Sequence, residues 1–293
     1  ASSGADALGG AGNAADAGVP DAESACKPDP KAPQTLGGAR PAKVFVPKSY
    51  DGCKPLPLIV LLHGFTATGV VQNAYLGVST RVDKKGFILV LPEGNKNAGG
   101  AQFWNATDAC CDFGKRNPDD AKYLRGLVTE ALDKLAVDPE RVYFMGHSNG
   151  GFMSYRMACE SSDLIAGIAS IAGAVVKDVS KCSPQRPVNV LQMHGTQDAT
   201  IAYVGTFAYP GAEAGVKRWK DFNKCTGDPT VGDELDFDGA VQGSETVPTT
   251  WQGCGEKTRV DLWTMAGTGH IPSFNVAYKD AVLDHILAWR RIK

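Results

Sequence analysis

Residues 56–62 read Leu-Pro-Leu-Ile-Val-Leu-Leu, an apolar run without alternation that stops at His63-Gly64. A strand with one wet face alternates apolar and polar residues. A run that is apolar throughout must be covered on both faces, as in a parallel sheet flanked by helices. The same pattern recurs at 87–91, ending at Pro92-Glu93-Gly94, at 165–171, and at 188–193, followed by His194-Gly195. Shorter strands are expected at 42–46, 141–145 and 259–265. Between them runs helical periodicity. At 119–137, Asn117-Pro118-Asp119 supplies a start, and Leu124, Leu127, Val128, Ala131, Leu132 and Leu135 fall on one stripe. Helices are also expected at 149–159, 212–224 and 275–292. This alternation predicts an α/β fold with a mostly parallel sheet and helices on both faces. Sites in such sheets lie at the carboxyl ends of the strands. Residues 227–253 break the alternation and are expected to form a hairpin-like excursion over that rim.

The 293 residues are read as a small-residue tether at 1–25, rich in Ala, Gly, Ser and Asp, followed by one folded domain at 26–293. Lys plus Arg number 30 and Asp plus Glu 32, a net charge of −2, so there is no basic field for nucleic acid. No apolar run is long enough for a membrane span. Eight cysteines, at 26, 53, 110, 111, 159, 182, 225 and 254, lack paired zinc-ligand spacing. An even count without such spacing points to disulfides and an oxidising compartment. With Ala1 first and no apolar signal core, the chain is expected to be an exported form, secreted or periplasmic, that has shed its signal. Nearest-neighbour pairing gives Cys26–Cys53, Cys110–Cys111, Cys159–Cys182 and Cys225–Cys254. Other pairings stay open, because adjacent Cys110 and Cys111 can bond to each other or to two separate partners. Cys225–Cys254 would close the excursion.

The segment Gly146-His147-Ser148-Asn149-Gly150-Gly151 fits Gly-x-Ser-x-Gly between an expected strand and an expected helix. A serine hydroxyl is a poor nucleophile until it is presented and deprotonated, and a sharp strand-to-helix turn does the presenting. In this architecture an acid and then a histidine follow the serine along the chain. Asp198 is the first carboxylate past the strand at 188–193, and His270 follows the strand ending at Met265 through Ala266-Gly267-Thr268-Gly269. Of the other histidines after the serine, His194 has no good carboxylate before it, and His285 lies within the last helix. The backbone N–H groups of Phe65 and Asn149 are expected to hold a developing oxyanion. His63 is expected to bond to backbone inside its turn.

Taken together, these motifs resemble the polyhydroxybutyrate depolymerase-like family, which overlaps feruloyl and acetyl xylan esterases of the α/β-hydrolase superfamily. The resemblance rests on Leu62-His63-Gly64-Phe65, Phe103-Trp104-Asn105 with Cys110-Cys111, Asp119-Asp120, the serine segment, His194-Gly195-Thr196-Gln197-Asp198 and Gly267-Thr268-Gly269-His270. It spans roughly residues 42–290. It implies the α/β-hydrolase fold, Ser148, Asp198 and His270 as a catalytic triad, and hydrolysis of small or polymeric esters through an acyl-enzyme. It departs after the histidine, where members often carry Trp-Pro and this chain has Ile271-Pro272.

Trp104 is a candidate for stacking on substrate, with packing under its loop as the competing reading; Phe65 and Ile271 are further wall candidates. Glu234, Asp236, Asp238, Gly239 and Glu245 follow the ligand spacing of a calcium loop, but no helical pattern flanks them, and Asp238-Gly239 is a hairpin turn signal. No metal and no cofactor are expected, and the chain is expected to act as a monomer. A serine peptidase of the same fold and a non-catalytic binding protein on a hydrolase scaffold are the competing functional readings.

Overall fold

The computed structural model describes residues 31–292. The tether expected at 1–25 and Cys26 lie outside the described residues. In chain order the elements are β1 (Thr35–Leu36), β2 (Ala42–Phe45), β3 (Leu56–Leu62), α1 (Gly69–Leu76), α2 (Val82–Lys85), β4 (Ile88–Leu91), β5 (Asn95–Lys96), β6 (Gln102–Phe103), α3 (Asp120–Lys134), β7 (Val137–His147), α4 (Asn149–Glu160), β8 (Gly167–Ile171), β9 (Asn189–Gly195), α5 (Ala212–Phe222), β10 (Thr230–Val231), β11 (Thr246–Trp251), β12 (Val260–Met265) and α6 (Val276–Leu287). Short 3-10 turns supplement them. Ten strands form one sheet in the order β1-β2-β4-β3-β7-β8-β9-β12-β11-β10. From β4 through β12 every neighbouring pair is parallel, and the strands outside them are antiparallel.

The apolar runs supply both faces of the sheet. Leu58, Val60 and Leu62 of β3 join the core beneath α3, α4 and α5, with Leu124, Phe152 and Trp219. Ile59 and Leu61, one residue out of step, join the opposite core with Leu76, Val82, Tyr278 and Ile286 of α1, α2 and α6. Period-two alternation of side chains splits one hydrophobic run between two cores.

The cross-strand register brings the strand ends into line. Leu62 pairs with Gly146, His147 with Ile171, Ile171 with Met193, and Gly195 with Met265. The chain passes from β3 to β4 on one side and then to β7 on the other, so the order reverses at β3. This is the switch point where open α/β sheets place their sites.

Several boundaries differ from the sequence expectation. The helix expected to reach 137 ends at Lys134, because Leu135 is extended and Val137 already pairs with Leu56 of β3. The strand expected at 141–145 therefore extends over β7, Val137–His147. The last helix ends at Leu287 rather than 292. Beyond it Arg290 bonds Glu140 and Asp138, and Arg291 bonds the Asp163 carbonyl. The excursion adds β10 and β11 to the edge of the sheet. Its middle lies by the rim, where Thr246 pairs with Met265.

Cys110–Cys111, Cys159–Cys182 and Cys225–Cys254 are disulfides, and Cys53 is also disulfide-bonded. Cys254 follows Trp251, which pairs with Val260 at the amino end of β12, the end remote from the rim. The Cys225–Cys254 bridge spans a sequence separation of 29. Replacing both cysteines by serine is expected to cost about 3–4 kcal/mol through the added entropy of the unfolded chain. Denaturant unfolding would measure this, and a midpoint equal to wild type would contradict it.

Candidate active site

The turn after β7 is built by close packing of backbones. A Cβ on Gly146 would collide with the Gly150 backbone, and one on Gly150 with the Leu62 carbonyl, so side chains are excluded at both positions. Between them Ser148 sits at φ 55° and ψ −121° as the residue before α4. A non-glycine residue in this region costs about 1–3 kcal/mol and persists only where its surroundings hold it. The Ser148 N–H donates to the Ile171 carbonyl at 2.8 Å, and the Ser148 carbonyl accepts from Phe152 N–H at 3.0 Å.

Two other strand ends deliver the partners. His270 Nε2 lies 3.0 Å from Ser148 Oγ, and His270 Nδ1 lies 2.7 Å from Asp198 Oδ2. The Asp198 side chain is fully buried, and that of His270 is 14% exposed. The acid and histidine loops are tied together. Thr196 N–H donates to Met265 O, Gln197 N–H to Thr268 O, and Gly267 N–H to Thr196 Oγ1. Burial alone would raise the Asp198 carboxyl. Hydrogen bonds from His194, His270 and the Ile201 N–H outweigh that and hold it well below the usual carboxylate range.

The loop after β3 faces the same serine. A Cβ built on Gly64 would lie 3.6 Å from Ser148 Cβ. Gly64 N–H is taken by Gln72 Oε1 at 3.0 Å. His63 Nδ1–H donates to Gly64 O at 2.8 Å, and His63 Nε2 accepts from Gly94 N–H at 2.9 Å. Burial pushes His63 down to about 4, so it stays neutral in this role. Among the described residues, the N–H groups of Phe65 and Asn149 donate to no other protein group. The Asn149 side chain is occupied elsewhere: its Oδ1 accepts from Trp104 N–H at 2.7 Å and its Nδ2 donates to Trp104 O at 2.9 Å.

Trp104 does not serve as a substrate platform. It is fully buried, and its indole N–H donates to His63 O at 3.0 Å. The packing reading therefore replaces the contact reading. Phe65 is half-buried and meets Phe113 edge to face at 5.5 Å between centroids. Ile271 and Phe113 stand 70% and 69% exposed. Phe113 escaped the sequence reading, since its nearness to Phe65 depends on a loop path with no periodic signal.

The residues that steady the histidine loop were also missed. Burial pushes His147 down to about 4, and its neutral Nε2–H donates to the His270 carbonyl at 2.8 Å. Tyr75 O–H donates to Pro272 O at 2.8 Å. Of the residues with calcium-loop spacing, Asp238 bonds the same loop and Glu245 bonds the backbone around Asp238. Asp238 Oδ1 accepts from Ser273 N–H at 2.8 Å and Ala240 N–H at 3.0 Å, while Glu245 accepts from the Phe237 and Asp238 N–H groups. Glu234 and Asp236 are exposed. Among the described residues, no group of three or more His, Cys, Asp or Glu side chains is placed to hold a metal ion. His285 bonds Asp261 Oδ2 at 3.0 Å, apart from the site.

A mostly parallel sheet with helices on both faces, carrying a serine on the strand-to-helix turn and an acid and a histidine on later strand ends, defines the α/β-hydrolase fold. Residues 51–208 match the phospholipase/carboxylesterase family model, and the chain belongs to that family. It is 29% identical to feruloyl esterase B of Piromyces equi over 245 residues, covering 78% of this chain and 42% of that protein. It is 26% identical to poly(3-hydroxyalkanoate) depolymerase C of Paucimonas lemoignei over 237 residues, covering 73% of this chain and 54% of that protein. The chain thus spans about half the length of these curated relatives. Among solved structures, acetyl xylan esterase from Aspergillus awamori superposes with a TM-score of 0.62 at 16% identity, covering 86% of this chain and 98% of that one. At that identity the likeness concerns the fold.

Because the folded-state pKa of Asp198 lies below its unfolded value of about 4, the ionised carboxylate contributes stability above that pH. The contribution is lost as pH falls toward the folded-state pKa. Asp198→Asn is expected to unfold at lower denaturant than wild type at pH near 7, with the gap closing on acidification below about 4. A gap that widens in acid would contradict this.

Proposed function

We propose that the chain is a secreted serine carboxylic ester hydrolase that works through an acyl-enzyme. The observation that carries this reading is the continuous contact from Asp198 through His270 to Ser148, 2.7 Å and then 3.0 Å. Ser148 Oγ attacks the ester carbonyl while His270 Nε2 takes its proton. Asp198 stays ionised, holds the His270 tautomer and stabilises the imidazolium. The N–H groups of Phe65 and Asn149 hold the tetrahedral oxyanion; such a donor is worth about 3 kcal/mol in the transition state. The imidazolium then protonates the leaving alcohol, and water releases the acyl group by the reverse route.

The substrate reading is an acetyl or hydroxycinnamoyl ester of plant polysaccharide, or a short polyhydroxyalkanoate chain. It is supported by the similarity to a feruloyl esterase and a depolymerase and by Phe65, Phe113 and Ile271 at the rim. Export is supported by the disulfides. Among the described residues, no helix is long and apolar enough to cross a membrane.

Ser148→Ala is expected to keep the fold and lose more than about 1000-fold in turnover of a p-nitrophenyl ester. Near wild-type turnover by that variant would overturn the proposal. Side-by-side rates on methyl ferulate, acetylated xylan and a 3-hydroxybutyrate oligomer would rank the substrates. An amide matched to the best ester is expected to react far more slowly, and comparable rates would favour a peptidase instead.

A further inference from the structure

Asp198 touches two histidines, and the proposed mechanism uses only one. His194 Nε2 lies 3.4 Å from Asp198 Oδ2, the same oxygen that accepts from His270 Nδ1. The other carboxylate oxygen accepts from Thr200 N–H and Ile201 N–H, each at 2.8 Å. His194 is 1% exposed, on β9 two residues beyond Gln192, so both side chains leave the same face of the strand.

The surroundings of His194 fix its protons. Its Nε2 lies 2.8 Å from the Ile201 carbonyl oxygen, which can only accept, so Nε2 carries a hydrogen. Its Nδ1 lies 3.0 Å from Gln192 Nε2. That amide cannot turn over, because the same nitrogen donates to the Gly173 carbonyl at 3.0 Å and its oxygen accepts from Tyr155 O–H at 2.8 Å. Gln192 thus offers His194 Nδ1 a donor. A second hydrogen on that ring would set two N–H groups against each other in a site where Gln192 and Tyr155 are 1% and 2% exposed. His270 is under no such restriction, because its Nε2 faces a hydroxyl that can donate or accept.

We propose that His194 is a positioning residue: a neutral imidazole, locked as its Nε2–H tautomer by Gln192 and Tyr155, that braces the Asp198 carboxylate against His270. This rests on the hydrolase reading given above. His194 draws part of the Asp198 negative charge away from His270. Removing it leaves that charge concentrated on His270 and stabilises the imidazolium. The other ionisable groups facing this cluster are His147 on β7, Tyr155 on α4, and Tyr203, whose ring meets His194 edge on and whose hydroxyl reaches Glu213 Oε1 on α5 at 3.2 Å.

Nitrogen NMR on the wild-type protein tests the tautomer. The expected result at neutral pH is one His194 nitrogen bearing hydrogen, Nε2. A His194 that carries its hydrogen on Nδ1, or a hydrogen on both nitrogens, overturns the proposal. Kinetics test the bracing. In His194→Phe, kcat is expected to fall about tenfold or more with KM little changed, and the acid limb of the kcat/KM profile to move to higher pH. His194→Gln, which returns an N–H donor near the lost Nε2, is expected to recover much of both. A folded His194→Phe enzyme with the wild-type kcat and pH profile overturns the proposal; if that variant does not fold, the wild-type spectra decide. Active Ser148→Ala would instead refute the hydrolase reading, and the His194 spectra do not depend on that outcome.

Discussion

One buried carboxylate holds the candidate site together. Asp198 collects hydrogens from the Thr200 and Ile201 backbone on its own loop, from His270 after β12, and a contact from His194 within β9. An ionised group excluded from water is tolerated only when its acceptor sites are filled, and these donors fill them. The same saturation makes the carboxylate directional. It cannot turn without breaking several bonds, so the imidazole that leans on it is held as well. Reach and rigidity come from the sheet: the β9 and β12 ends are in register, and their loops exchange backbone hydrogen bonds beyond the last ladder pair.

The opposite wall is held by neutral groups. His63 and Asn149 each spend both polar side-chain atoms on backbone carbonyls and N–H groups of adjacent loops, and His147 spends its Nε2–H on the His270 carbonyl. Burial keeps both histidines uncharged. Four imidazoles, His63, His147, His194 and His270, thus lie within the site's motifs, yet only His270 bonds the serine hydroxyl. The arrangement keeps extra positive charge away from the imidazole that contacts the serine hydroxyl. It also leaves two backbone N–H groups, at Phe65 and Asn149, with no other protein acceptor among the described residues. Fixed dipoles need little reorganisation during a reaction, which is why such groups serve oxyanions well.

Much of this was legible in the sequence, for a physical reason. A strand buried on both faces must be apolar throughout, so β3, β4, β8 and β9 announce themselves, and a Gly-x-Ser-x-Gly at a strand end has few other uses. Local signals failed where tertiary contacts decide. Helix α1 was not seen, because Val70 and Val71 are 44% and 58% exposed and blur its apolar face. Strand β11 reads Thr-Val-Pro-Thr-Thr-Trp, half-buried with an internal proline, and pairs at the antiparallel edge of the sheet. The apolar stripe through Leu135 continues into a strand, so periodicity alone carries the helix to 137, and only pairing with Leu56 shows where one ends. The Asp238 and Glu245 carboxylates share the spacing of a calcium loop, and spacing does not reveal that backbone N–H groups occupy them.

Trp104 carries the point furthest. An aromatic residue in a long loop near a catalytic serine invites a role in binding, yet its partners lie 41 and 45 residues away in the chain, at His63 and Asn149. It is bonded to the residue before Gly64-Phe65 and to the residue after Ser148. One buried side chain and its own backbone therefore join the turn after β3 to the start of α4. An indole free to stack on substrate would have to leave its N–H bond to His63 and expose a core that is otherwise closed. The apolar side chains already exposed beside the site are Phe113 and Ile271, and half-buried Phe65 packs against Phe113. These sit on loops and can vary without disturbing the spacing that Trp104 maintains.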